Sequence, residues 1–212
     1  MSSLGINRYL DHSTNDPRGA GRVSPLPDLL REMRLCRRGR TRPDARPGDR
    51  GLISTDALLR FVYFEEVQIG DTFVSRPREI SQEDVERFAE LTGDRNPIHL
   101  DPEYAAHSPF GHRIAHGLLS LSLALGLWSA AGITRGSLVA LVAIEDARFL
   151  FPVSPGDSVH LSCVLKEKRE LSSKPDSGLA LYEHELLNGE NQVVLRFRVT
   201  VLLKRRQPPP SA

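Results

Sequence analysis

From position 114 to 134 the chain runs for twenty-one residues without an Asp, Glu, Lys or Arg. A run of that length can cross a bilayer. Here, however, His116, Ser120, Ser122, Ser129 and the glycines at 117, 126 and 132 interrupt it, and no second span accompanies it. A buried helix over about 116–131 accounts for it better, with no membrane span in the chain. Beyond it the hydropathy period changes from helix to strand. Residues 138–144, 147–151, 158–170, 179–188 and 192–203 are β-rich, with Pro152 and Pro155-Gly156-Asp157 between them as a turn and Asn188-Gly189 as a hairpin signal. In the last stretch Leu195, Phe197, Val199 and Val201 alternate with Arg196, Arg198 and Thr200, so one face is buried and the other is wet. One early strand, then helices, then four or more closely connected strands predict an α+β fold. In it an antiparallel sheet covers one central apolar helix, with Leu118, Leu119, Leu121, Leu123, Leu125 and Trp128 supplying mostly core and some channel wall.

Charge and aromatic content divide the chain. Residues 1–60 hold twelve Arg, no Lys and seven acidic residues, a net charge of +5, against −4 for 61–212, where twelve of the thirteen aromatic residues lie. Only burial of large apolar groups offsets the entropy of ordering backbone. The folded domain is therefore expected at 61–204, behind an irregular Arg/Pro-rich leader at 1–60 with a short helix at 27–35 at most, and before a polar tail at 205–212. The basic run 37–42 has no interleaved aromatics, and the overall charge of +1 does not suit a nucleic-acid binder. Cys36 and Cys163 form no motif, so a reducing, cytoplasmic setting is expected, with organellar targeting by the leader left open.

Residues 67–74 read as a turn at Gly70-Asp71 feeding a strand. Next comes a helix with its ends marked: Ser81 as cap, Asp84 completing part of a capping box, Ile80 and Val85 as a hydrophobic staple, and Gly93 as the stop. A second helix opens at Asp101-Pro102. Between them Asp94 and His99 flank a loop stiffened by Pro97. An aspartate beside an imidazole can orient the ring, hold a water and move its proton near neutral pH. His116-Gly117 opens the apolar helix, whose free N–H groups and dipole receive developing negative charge, and glycine admits close approach. An acid/base pair facing an oxyanion receptor suits addition of water to a double bond conjugated to a carbonyl. The bland readings are turn residues, a local hydrogen bond and a capping histidine. A metal site among His99, His107, His112 and His116 is a rival whose spacing matches no standard motif.

The run Gly93-Asp94-Arg-Asn96-Pro97-Ile-His99, then His116-Gly117, then Arg148-Phe-Leu-Phe-Pro152-Val-Ser-Pro-Gly156-Asp157 resembles the MaoC-like (R)-specific enoyl-CoA hydratase family over roughly 64–204. The resemblance implies a hot-dog fold. It also implies reversible hydration of trans-2-enoyl thioesters of coenzyme A or acyl carrier protein to (R)-3-hydroxyacyl thioesters. Carried onto this chain, it makes Asp94 and His99 the acid/base pair, Asn96 a group that braces the loop or positions water, His116 a group that positions substrate or water, and the Gly117 amide the donor to the thioester oxygen. No metal and no cofactor are implied beyond the thioester carrier, and the expected assembly is a homodimer or higher homo-oligomer. Two other readings stand beside it: a non-catalytic acyl-thioester-binding hot-dog subunit of a hetero-oligomer, and a hot-dog thioesterase.

Overall fold

A computed structural model describes residues 62–132 and 134–206, together with the backbone of Leu52–Ile53. The strands are β1 (Leu52–Ile53), β2 (Thr72–Val74), β3 (Arg78–Glu79), β4 (Leu138–Phe149), β5 (Ser158–Glu170), β6 (Ser177–Asn188) and β7 (Val193–Lys204). The helices are α1 (Gln82–Thr92), α2 (Pro97–Leu100), α3 (Pro102–Ala106) and α4 (Gly117–Ala130). The sheet has the order β1-β2-β5-β6-β7-β4, with β3 added beside β5. All pairs are antiparallel except β1 with β2.

The fold is hot-dog, an α+β arrangement in which the sheet packs against α4. Val159, Leu161, Cys163 and Leu165 of β5, Ala180, Tyr182 and Leu186 of β6, and Leu195, Phe197, Val199 and Val201 of β7 form one buried face. Leu119, Ala124 and Trp128 of α4 join them in a single core. Burial of that apolar area is the main favourable term in holding helix to sheet. The helix is less enclosed than its apolar sequence suggests, because Leu118 is 61% exposed and Leu121, Leu123 and Leu125 are only partly covered. Among the described residues no helix is long and apolar enough to cross a membrane.

Local signals in α1 act as their chemistry dictates. The Ser81 side chain accepts from the Asp84 N–H, the Asp84 carboxylate accepts from the Ser81 N–H, and Gly93 closes the helix in the left-handed region at φ 77°. Elsewhere the structure departs from expectation. Residues 138–149 make one strand, not two, because bulges absorb the irregularity where a break was expected. The β6–β7 hairpin expected at Asn188-Gly189 does form, with a four-residue connection. The connection spans Gly189 to Gln192, Asn191 takes the positive φ of 58°, and the Asn188 side chain accepts from the Glu190 and Gln192 N–H groups. Two residues expected in the leader, Leu52 and Ile53, pair with Thr72 and Phe73, since the outer edge of β2 offers free backbone groups. The rest of 1–60, including the expected helix at 27–35, and residues 207–212 lie outside the described residues. Arg205 and Arg206, expected in the tail, are tied to the domain through ion pairs with Glu170 and Glu66.

One glycine is required by packing. The Phe64 ring, 3% exposed, lies against Gly178 of β6, with the Lys168 and Arg205 cations 4.6 and 4.9 Å from its centroid. A Cβ on Gly178 would meet ring atoms of Phe64 at 2.4, 2.5 and 2.6 Å. Gly178→Ala is expected to destabilise the domain by about 1–3 kcal/mol in urea unfolding, the usual range for overpacking a core. An unchanged midpoint would show that the ring can move aside.

Candidate active site

The helix pair α1 and α2, the segment before α4 and the end of β4 meet at one end of the sheet. Asp94 follows the Gly93 stop of α1, and Asn96 caps α2 with its Oδ1 accepting from the Ile98 N–H at 3.2 Å. Pro97 at the first turn supplies the fixed φ that starts α2, so the expected loop is a short helix that carries His99 on its last turn. Ile114 and Ala115 are tied to this region by N–H bonds to the Ile98 and Val153 carbonyls.

His99 is oriented by backbone, not by Asp94. Its Nδ1 lies 2.8 Å from the Ile114 carbonyl oxygen. A carbonyl only accepts, so Nδ1 carries the proton and Nε2 keeps its lone pair. Burial holds the His99 imidazole below its ordinary pKa, against the opposing pull of the Ile114 carbonyl. The ring is therefore neutral at pH 7, the form in which Nε2 can take a proton. The Asp94 carboxylate, exposed to solvent, accepts from the Asn96 N–H at 3.4 Å.

His116 is 2% exposed and makes no side-chain cap on α4. Instead its Nε2 donates to the Asp94 main-chain oxygen at 3.0 Å, which ties the Asp94 loop to the start of the central helix. Its ring stacks on His99 at 3.8 Å between centroids and touches Phe88 at 5.0 Å. Its Nδ1 is buried with no hydrogen-bond partner. His116 is thus a brace between two elements and makes no side-chain cap, so the bland reading of a capping histidine does not hold.

Asp94, His99 and His116 each offer one donor atom, all within 4.8 Å of one another. The two rings do not suit one metal ion. Their planes are tilted by only 32° and stacked at 3.8 Å, so the planes meet well beyond the roughly 2.0–2.1 Å at which an imidazole nitrogen binds zinc. His107 and His112 are not in that group; His107 Nδ1 donates to the Glu103 carbonyl of its own helix.

Gly117 is the first residue of α4, and no hydrogen bond among the described residues uses its N–H. That amide and the helix dipole form a receptor for an oxygen that gains charge. Beside the site an open cleft of about 710 Å³, lined by Asn96, Ile98, Tyr104, His107 and Phe110 among others, leads across α2 and α3. The structure brings Asp94, Asn96, His99, His116 and Gly117 into one neighbourhood. The Ile114 carbonyl beside His99 has no side-chain signature in the sequence.

Comparison with known proteins follows the same lines. The description "MaoC like domain" matches residues 65–186. A 3-hydroxybutyryl-CoA dehydratase of Methylorubrum extorquens is 46% identical over 110 residues, 51% of this chain and 67% of that protein. An (R)-specific enoyl-CoA hydratase of Rhodospirillum rubrum is 34% identical over 107 residues, 50% of this chain and 71% of that one. The chain spans less of others, 31% of Protein MaoC of Klebsiella aerogenes at 39% identity. Among solved structures, a monoamine oxidase regulatory protein from Archaeoglobus superposes with a TM-score of 0.65 at 35% identity, over 69% of this chain and 97% of that chain. A Mycobacterium tuberculosis protein described as a double hotdog fold superposes with a TM-score of 0.60 at 21% identity, over 72% of this chain and 46% of that chain, a likeness of fold alone.

Proposed function

Since this chain belongs to the MaoC-like domain family, we propose that it adds water reversibly to trans-2-enoyl thioesters of coenzyme A or acyl carrier protein, giving (R)-3-hydroxyacyl thioesters. The observation that carries this reading is a neutral His99 with Nε2 free, beside the Asp94 carboxylate and near a helix that opens on an unpartnered Gly117 amide. Names of relatives support it, since they speak of 3-hydroxybutyryl-CoA dehydratase and (R)-specific enoyl-CoA hydratase.

In the hydration direction the water oxygen bonds to C3 while the Asp94/His99 pair takes its proton. The π electrons move toward the thioester oxygen, which the Gly117 N–H and the helix dipole stabilise. The enolate-like intermediate then collapses as the pair returns a proton to C2, and dehydration runs the same steps backwards. Atoms balance without an oxidant or reductant. Proton transfer by a positioned pair contributes on the order of 10²–10⁴ in rate and one preorganised amide on the order of 10²–10³, so the proposed step needs no metal or other cofactor. Asn96 and His116 serve as positioning residues, the first fixing the α2 start and the second the Asp94 backbone. The test is loss of absorbance of the conjugated bond of crotonyl and longer enoyl thioesters on both carriers. Activity at no chain length, or release of free thiol in its place, overturns the assignment.

The proposal extends to a homodimer built edge to edge. The outer edge of β4 has no strand beside it among the described residues, and Leu138, Val139, Leu141, Ile144 and Phe149 on it are 38–48% exposed. A long apolar edge strand is a template for pairing with a second copy. Light scattering should give twice the chain mass for the wild type, and Leu141→Lys should shift it toward one chain mass. A wild type at one chain mass at micromolar concentration sinks the dimer.

A further inference from the structure

Phe149 ends β4 with its ring against the first residue of the central helix. A Cβ built on Gly117 would lie 3.0, 3.1 and 3.3 Å from three ring atoms of Phe149, so the ring fills the space into which a side chain at 117 would project. Register shows how the ring gets there. Ile144 pairs with Val199, and Phe149 pairs with Leu195. Val199 and Leu195 are four residues apart on the buried face of β7, yet β4 uses five residues to cover the same distance. The extra residue lies between Glu145 and Arg148, where the register shifts. Asp146 there adopts a left-handed φ of 50° and is held by Arg198 at 2.6 Å.

Side chains alternate along a strand, so one inserted residue reverses which of them faces the core. In an unbroken ladder Arg148 would stand opposite Leu195 and Phe149 would point away from α4. The bulge places an aromatic ring, in place of a guanidinium, beside Gly117. Asp tolerates the left-handed region better than most residues, but the conformation is still uncommon outside glycine.

We infer that Phe149 is a positioning residue for the thioester carbonyl: the Asp146 bulge turns its ring over Gly117, where it covers the amide and keeps water from competing for it. A water-excluded N–H is worth more to a developing oxyanion than a solvated one, since local screening falls. This inference rests on the proposed reaction, but the covering of the amide does not. The ring itself is 47% exposed, so it forms a wall that substrate can pass, not a plug.

The experiment compares Phe149→Ala and Phe149→Leu with wild type at equal assembly mass by light scattering. Hydrogen exchange of the Gly117 amide should be several-fold faster in Phe149→Ala and near wild type in Phe149→Leu. In turnover, kcat of Phe149→Ala should fall about tenfold, a part of the about 10²–10³ lost when a whole oxyanion donor is removed, with KM little changed and Leu restoring most of it. A wild type with no turnover sinks the reaction reading, and the exchange rates still decide whether the ring covers the amide. Unchanged exchange in Phe149→Ala, or a KM rise at constant kcat, overturns the inference.

Discussion

Replacing Asp94 with Asn, or His99 with Ala, is expected to slow hydration of crotonyl thioester by about 10²–10⁴, the range for losing one member of a proton-transferring pair. That range corresponds to about 2.7–5.5 kcal/mol in the barrier. The two variants fail for different reasons. Asn keeps the size of Asp94 and its turn contact to the Asn96 N–H but holds no negative charge and accepts no proton. Ala at His99 removes the ring whose Nδ1 is anchored on Ile114 and also unstacks His116. The double variant should be little slower than the worse single one, because groups that act as a unit are not additive. The pH profile of the wild type supplies a second readout. Burial holds the His99 pKa below its ordinary value, so kcat/KM should fall on the acid side only as pH drops below the usual histidine range. Two single variants within threefold of wild type would remove the pair from the chemistry.

Acidification should also destabilise the domain through a histidine that takes no part in the site. His184 on β6 is fully buried, stacked on Phe197 at 4.9 Å and edge-on to Trp128 at 5.2 Å, and neither ring nitrogen has a hydrogen-bond partner. Burial pushes its pKa down from 6.5 to about 4. Between those values the unfolded chain binds the proton and the folded chain does not, so stability falls as pH falls. At about 1.36 kcal/mol per unit the loss from pH 7 to pH 4 reaches about 3 kcal/mol from this group. His184→Leu leaves a side chain of fitting size without the titration. It should stay within about 1.5 kcal/mol of wild type at pH 7 and show a shallower fall toward pH 4 in urea unfolding. Parallel pH curves for the two proteins would mean that His184 protonates inside the fold without penalty.

Much of the local structure was legible because its causes are local. Ser81, Asp84 and Gly93 bound α1 through bonds to backbone a few residues away, and a capping box reads the same in any context. The alternation of β7 announced its buried face. The hairpin between β6 and β7 was legible in Asn188-Gly189, and only its inner conformation, with Asn191 in the left-handed region, was not. The merged strand β4 was hidden as well. Its bulges are answers to the spacing of β7, which is distant in sequence.

The candidate site divides along the same line. Sequence by itself determined which groups can do the chemistry: a carboxylate, an imidazole and a glycine amide at the start of an apolar helix, at motif spacing. Tertiary structure decided the protonation of the imidazole and the surroundings of all three. The Ile114 carbonyl fixes the His99 tautomer, the Asp94 carbonyl holds His116 as a brace, and an extra residue at Asp146 turns Phe149 onto Gly117. Those outcomes depend on backbone groups and on side-chain parity across a sheet. A carbonyl is the same in every residue, and parity is counted along two strands at once, so neither leaves a mark in the order of side chains along one chain.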